Sequence, residues 1–238
     1  GIKDLLPEID QAQLNKRVEL ARKFSAAFTH YFPHDDVKAY NDFYDQTVQF
    51  MSGDMAEPFD IQREPANLRN QYGNTPFGQG ALLARRLIER GVRYVEVTSN
   101  QNWDSMHGGT NSLPRLTSEL DGTVSALMND LRDRGLLGTT MIVVTTEFGR
   151  TPKVKGNGGR DHHPNGFSAM LAGGGVKGGI AVGETDENGR DPFPEYEPRD
   201  LHATIATALG MTGTKIRRLP GRPSFLGGKP KPIKEILA

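Results

Sequence analysis

Five carboxylate and imidazole side chains fall in two short polar segments flanked by glycine. Asp104 and His107 lie in Trp103-Asp-Ser-Met-His-Gly-Gly109, and Asp161, His162 and His163 lie in Arg160-Asp-His-His-Pro164. Between them an apolar run ends in a sixth, Glu147. Imidazole beside carboxylate is the ligand chemistry of a divalent cation such as zinc, which takes neutral nitrogen and anionic oxygen at about 2.0–2.2 Å and keeps a position open when it activates water or an ester oxygen. The chain has no cysteine, so thiolate sites, zinc fingers and disulfides are excluded and any metal must be held by oxygen and nitrogen.

The elements that must bring these segments together follow from hydrophobic period. From Asp10 to about Gly53, Leu14, Val18, Ala21, Phe24 and Phe28 recur at helical spacing. Pro33 breaks the run, and Val37, Tyr40, Tyr44 and Val48 continue it, which predicts a helical pair. Residues 57–74 read as a connector with room for a short helix. Beyond it, Gln79–Arg90 reads as a helix ended by Gly91, and Val92–Val97 as a strand. A longer helix through Leu116, Leu120, Val124 and Leu131 ends at Gly135, and Thr140–Thr146 is a β-branched run suited to a buried strand. Phe167–Ala172 and Ile180–Val182 read as further strands, Pro198–Leu209 as a closing helix, and the end from Arg218 as a surface tail.

Strands alternating with helices predict an α/β fold, a mostly parallel sheet flanked by helices, with residues 1–74 as an N-terminal helical subdomain or lid and 75–238 as the core. In such a sheet, ligands sit beyond the carboxyl ends of strands. The loops after Val97 and Thr146 would then share one rim, which would bring Asp104, His107, Glu147, Asp161, His162 and His163 to a common cleft.

Lys plus Arg and Asp plus Glu number 29 each in 238 residues, so no global field draws the chain to nucleic acid or anionic lipid. The longest apolar runs are too short to span a bilayer. Gly173–Gly179 lacks nucleotide-loop spacing and reads as a tight turn or bulge, and Asp186–Asp191 as a polar turn. The chain starts with Gly1 and without a signal-like apolar region, which reads as a processed end or a fragment.

Four segments carry a family resemblance: Thr75-Pro-Phe-Gly-Gln-Gly80, Glu147-Phe-Gly-Arg-Thr-Pro152, Gly159-Arg-Asp-His-His-Pro-Asn165 and Ala172-Gly-Gly-Gly-Val-Lys-Gly-Gly179. From roughly Leu5 to Leu226 the chain resembles the sulfatase-like proteins catalogued as domain of unknown function 1501, which are placed in the alkaline phosphatase superfamily. The resemblance implies an alkaline phosphatase/sulfatase-like fold whose first βα unit, the usual home of the nucleophile, is missing here. It also implies an exported or periplasmic protein acting on a small-molecule or glycan ester. By order along the chain, Asp104, His107 and His162 would hold one metal, and Glu147 would stand where a second metal takes its carboxylate. Phe148 occupies the place of the second-site histidine, and a phenyl ring cannot ligate, so one ion is expected: zinc, with manganese or calcium as alternatives.

Each residue has a second reading. Asp104 and His107 could cap the following helix, Asp161 could brace His162, and Glu147 could pair with Arg150 or Arg160. Those arginines could instead clamp the equatorial oxygens of a phosphate or sulfate. His30, His34 and His202 read as structural. The expected function is a metal-dependent hydrolase of phosphate or sulfate esters, with Glu147, Arg150 and Arg160 as catalytic candidates. The alternative is a catalytically inactive sulfatase-like binding or scaffolding protein.

Overall fold

The structure, a computed structural model, describes residues 8–52, 54–104, 112–211 and 230–238. Contacts divide the chain into two compact units, 1–99 and 100–238.

The first unit is helical. Asp10 caps α1 (Gln11–Tyr31), its carboxylate accepting from Gln13 N at 2.8 Å, and α2 (Asp35–Ser52) opens with Asp35 and Asp36, which favour a helix N-terminus. The two helices are joined by the Arg22–Asp45 ion pair and by Asn41 Nδ2 donating to Thr29 Oγ1 at 3.0 Å. Short 3-10 turns at Asp54–Phe59 and Ile61–Arg63 lead to α3 (Ala66–Gln71) and α4 (Pro76–Glu89). The Thr75-Pro-Phe-Gly-Gln-Gly80 motif builds the start of α4. Thr75 Oγ1 accepts from Gly78 N at 3.1 Å, Pro76 takes the first turn where it needs no partner, and Gln79 Nε2 donates to the carbonyls of Gly73 and Arg69. Gly78 is required because a Cβ there would lie 2.0 Å from the Tyr72 carbonyl oxygen.

Helix α4 buries Ala81, Leu82 and Ala84 together with two arginines. Arg86 donates to the Pro58 and Glu57 carbonyls and to the carboxylates of Glu57 (2.8 Å) and Glu64 (2.5 Å). Arg85, fully buried, pairs with Glu64 at 2.9 Å and Glu89 at 2.5 Å. Burial alone would raise the carboxyl pKa of Glu57 and Glu64, but the arginines outweigh it and hold both below the usual carboxylate range.

In the second unit α5 (Leu113–Asp133) buries Leu116 and Leu131. It leads through a 3-10 turn at Leu137–Thr139 to β1 (Met141–Val144). Then follow β2 (Gly149–Arg150), β3 (His162–His163), β4 (Met170–Gly173), β5 (Glu184–Thr185), β6 (Pro192–Phe193) and α6 (Pro198–Ala208). The Asp186–Asp191 segment is the polar turn between β5 and β6. Asp186 Oδ1 accepts from the backbone of Arg190 at 2.5 Å and Asp191 at 3.2 Å, and these bonds lower its pKa. Of the expected surface tail from Arg218, residues 218–229 lie outside the described residues, and 230–238 are tied down: Lys231 N donates to Asp200 Oδ1, Ile233 N to Thr204 Oγ1 and Ala238 N to the Gly175 carbonyl.

The chain does not form the expected α/β architecture. Among the described residues the strands form three two-stranded antiparallel ribbons, β1 with β4, β2 with β3 and β5 with β6. Among the described residues there is no large parallel sheet flanked by helices, so this is not an alkaline phosphatase-like fold. The physical reason lies in the connections. A parallel neighbour needs a crossover, usually helical, whereas the chain between β1 and β4 carries the β2–β3 hairpin and returns antiparallel, Ile142 opposite Ala172 and Val144 opposite Met170. Val92–Val97 lies outside every ladder, although Val95 and Val97 alternate with more exposed neighbours. The expected strand at Ile180–Val182 is likewise absent from the ladders, the nearest pairing beginning at Glu184. No helix among the described residues is long and apolar enough to cross a membrane.

Candidate functional site

The site is built on the β2–β3 hairpin in the second unit. Antiparallel register sets Gly149 opposite His163 and Arg150 opposite His162, so the Arg150 and His162 side chains leave the same face. Thr151 N extends the ladder by donating to the Asp161 carbonyl at 2.9 Å, and Thr151 Oγ1 accepts from Asp161 N at 3.1 Å. Gly149 is required by close approach, because a Cβ there would stand 2.0 Å from the Gly166 carbonyl oxygen. Arg160 braces the turn from the inside, donating from Nη1 to the carbonyls of Thr151 (2.9 Å) and Pro152 (2.7 Å).

On the shared face Asp104 meets both hairpin strands. Its Oδ1 accepts from Arg150 Nη1 at 2.7 Å, and its Oδ2 lies 3.4 Å from His162 Nε2. The Asp104 backbone N–H donates to Asn102 Oδ1 at 2.9 Å, which bends the incoming chain. Phe148 packs its ring on His162, with centroids 4.5 Å apart and planes tilted by 42°, and the Arg150 guanidinium stands 5.8 Å from the same phenyl ring. The cluster is half open to solvent, with the Asp104 and His162 side chains about 40% exposed and Arg150 20%.

The remaining candidates lie around this centre. Glu147 is mostly exposed, its Oε1 3.9 Å from Arg150 Nη2. Asp161 pairs with Lys155 across the hairpin turn. His163, on the opposite side of the strand from His162, has its Nε2 2.6 Å from the Arg190 carbonyl oxygen and so serves as a hydrogen-bond donor toward the β5–β6 turn. His107 lies outside the described residues. Among the described residues no group of three or more imidazole and carboxylate side chains is arranged to hold a metal ion. Two features escape sequence reasoning: the Asp104–Arg150 pairing, which spans 46 residues, and the use of Phe148 as a platform for His162. Only the alternation of β2 and β3 could have signalled the second, and two-residue strands are too short to read.

Asp104 Oδ2 and His162 Nε2 stand at the long limit of a direct hydrogen bond, a separation that two ligands of one ion can share. Donors each about 2.0–2.1 Å from a tetrahedral centre stand about 3.3–3.4 Å apart, matching the 3.4 Å between Asp104 Oδ2 and His162 Nε2. The same carboxylate is engaged by Arg150, so the cluster also reads as a charge-neutral polar brace. No curated protein and no solved structure matches the chain. One family model does, described as a protein of unknown function, DUF1501, over residues 4–237. A match of that extent covers nearly the whole sequence, and the chain belongs to the DUF1501 family.

Proposed function

We propose that this chain is a metal-dependent hydrolase of phosphate or sulfate esters, with its centre at Asp104 and His162 and with His107 as a third donor. The observation that carries the reading is the approach of Asp104 Oδ2 to His162 Nε2 at 3.4 Å across 58 residues of sequence. The donors are oxygen and nitrogen, a set that suits zinc or manganese better than calcium. A bound ion would polarise an ester oxygen or lower the pKa of water. The substrate class, a small-molecule or glycan ester, rests on the resemblance of the four sequence segments to sulfatase-like proteins alone.

The protein groups have separable tasks. Phe148 fixes the plane of the His162 ring. Arg150 spends one donor on Asp104, and a guanidinium has further N–H groups to meet two equatorial oxygens of the ester at once. Glu147, beside Arg150 and open to solvent, would take a proton from the attacking water. Arg160, committed to two backbone carbonyls, positions the hairpin. Elemental analysis of protein purified without chelator should find close to one zinc or manganese per chain, lost in His162→Ala. Aryl phosphate or aryl sulfate turnover should fall with it. No metal in the native protein, even after metal addition, would sink the reading.

One observation favours a second reading, a non-catalytic binding protein. Arg150 already neutralises Asp104 at 2.7 Å, as a structural ion pair would. In that case Arg150→Gln leaves Asp104 without its cation and lowers stability without changing a turnover that is nil in both proteins.

A further inference from the structure

Six aromatic side chains on helices α1 and α2 are exposed, from 39% for Tyr44 to 77% for Tyr31, besides Phe32 in the turn between them. On α1, Phe24, Phe28 and Tyr31 continue a stripe that starts at Leu20, with spacings of four, four and three. On α2, Tyr40, Phe43 and Tyr44 are grouped in the same way. The two stripes lie on one broad face of the hairpin. The Arg22–Asp45 ion pair marks the opposite face. Helical rotation from the interhelical line of Val18 and Thr29 on α1, and Val37 and Asn41 on α2, carries Arg22 and Asp45 to one side and both aromatic stripes to the other. At about 200 Å² per aromatic side chain, the six offer roughly 750 Å² of apolar surface, more than an ordinary monomer leaves open in one patch.

We infer that this face is a self-association surface, on which the hairpin of a second copy docks to form an antiparallel four-helix bundle. Area and charge both select that occupant. Two such faces bury about 1,500 Å² together, which lies within the standard size of a specific interface. Apart from the Arg22–Asp45 pair on the opposite face, helix α1 carries Lys16, Arg17 and Lys23 against Glu19 alone, and α2 carries Asp35, Asp36 and Asp42 against Lys38 alone. A twofold axis parallel to the helices sets α1 of each copy against α2 of its partner, so a net positive helix meets a net negative one, whereas α1 on α1 would oppose like charges. The net negative charge of α2 also disfavours an anionic lipid surface as the occupant.

The test uses the full chain in a concentration series of light scattering coupled to size exclusion. The expected result is a dimer that Phe24→Glu with Phe43→Glu weakens at least about tenfold while far-ultraviolet circular dichroism stays unchanged. Should that double variant lose helix content, Phe43→Ser alone provides the milder test, with the same expected direction. Since the chain has no cysteine, oxidation of an equimolar mixture of Phe24→Cys and Phe43→Cys should yield the mixed disulfide in preference to either self-pair. A native chain that stays monomeric throughout the series overturns the inference. So does a dimer indifferent to the double variant, and so does a monomer that co-sediments with phosphatidylcholine–phosphatidylserine vesicles. Self-pairing of Phe24→Cys would overturn the α1-on-α2 arrangement.

Discussion

Arg150 is the residue on which the two readings of the site part. Its guanidinium touches Asp104 at 2.7 Å, approaches Glu147 at 3.9 Å and lies near the Phe148 ring, so it is fixed by charge on two sides. In a hydrolase, Arg150→Lys keeps the charge but loses the planar fork, and turnover should drop about 10²–10³-fold, the usual loss for a removed oxyanion donor, with metal content unchanged. Equal loss of metal and of activity would instead make Arg150 part of the ligand scaffold. Phe148→Ala tests the platform: freeing the His162 ring should weaken metal affinity about 10–100-fold, as losing an orienting partner of a ligand does. Affinity unchanged in a competition titration against a chromophoric chelator would show that the stacking is incidental. The polar segments around Asp104 and His162 stand out in the sequence because each gathers carboxylate and imidazole beside glycine. Their partners do not. Nothing near Asp104 announces Arg150, since the contact depends on a hairpin register set elsewhere.

Elements differ in how far local sequence specifies them. The helices are legible because their period, caps and stops are local: Thr75-Pro76 opens α4, and Gly91 and Gly135 lie just past the ends of α4 and α5. The sheets are not, because pairing joins distant residues. The β-branched run at Met141–Val144 is a strand, yet its direction relative to β4 is decided by what the intervening chain does, and a hairpin there leaves no helical crossover. Two of the motifs prove to be packing devices with a measurable cost. Gly149→Ala would drive a methyl to 2.0 Å from the Gly166 carbonyl oxygen. The hairpin must shift, at about 1–3 kcal/mol, and the Arg150–His162 register with it. Gly78→Ala meets the Tyr72 carbonyl at the same distance and should cost a similar amount in denaturant unfolding. Midpoints within error of the parent would mean that the backbone yields more easily than these contacts imply. In α4, Arg86→Ala would take one cation from the part-buried Glu57 and Glu64, which keep Arg90 and Arg85, and about 1–3 kcal/mol of stability should go with it.

At the scale of the whole molecule, the shifted groups set the pH range in which the fold is strongest. Glu57 and Glu64 have folded pKa values below their usual 4.5. Asp200, despite its burial, is held below 3.8 by the backbone N–H groups of Glu197 and Lys231. A depressed carboxyl binds its proton more weakly folded than unfolded. Its stabilisation is therefore complete above the unfolded value and is lost as pH falls through the folded one. Tyr196 works from the other end: burial first, then the charges of Glu235 and Asp200, raise its phenol above 10.0. The folded chain thus resists losing that proton, and stability falls as pH rises past the unfolded value toward the folded one. The urea midpoint should therefore be flat between these limits and decline beyond each. Tyr196→Phe should remove the alkaline decline without moving the acid one. Glu64→Gln should shallow the acid decline while lowering the plateau, since the arginines lose a charged partner. An acid decline of unchanged slope in Glu64→Gln would place the acid sensitivity outside the α4 network, with Asp200 and its clasp on residues 230–238 as the next group to titrate.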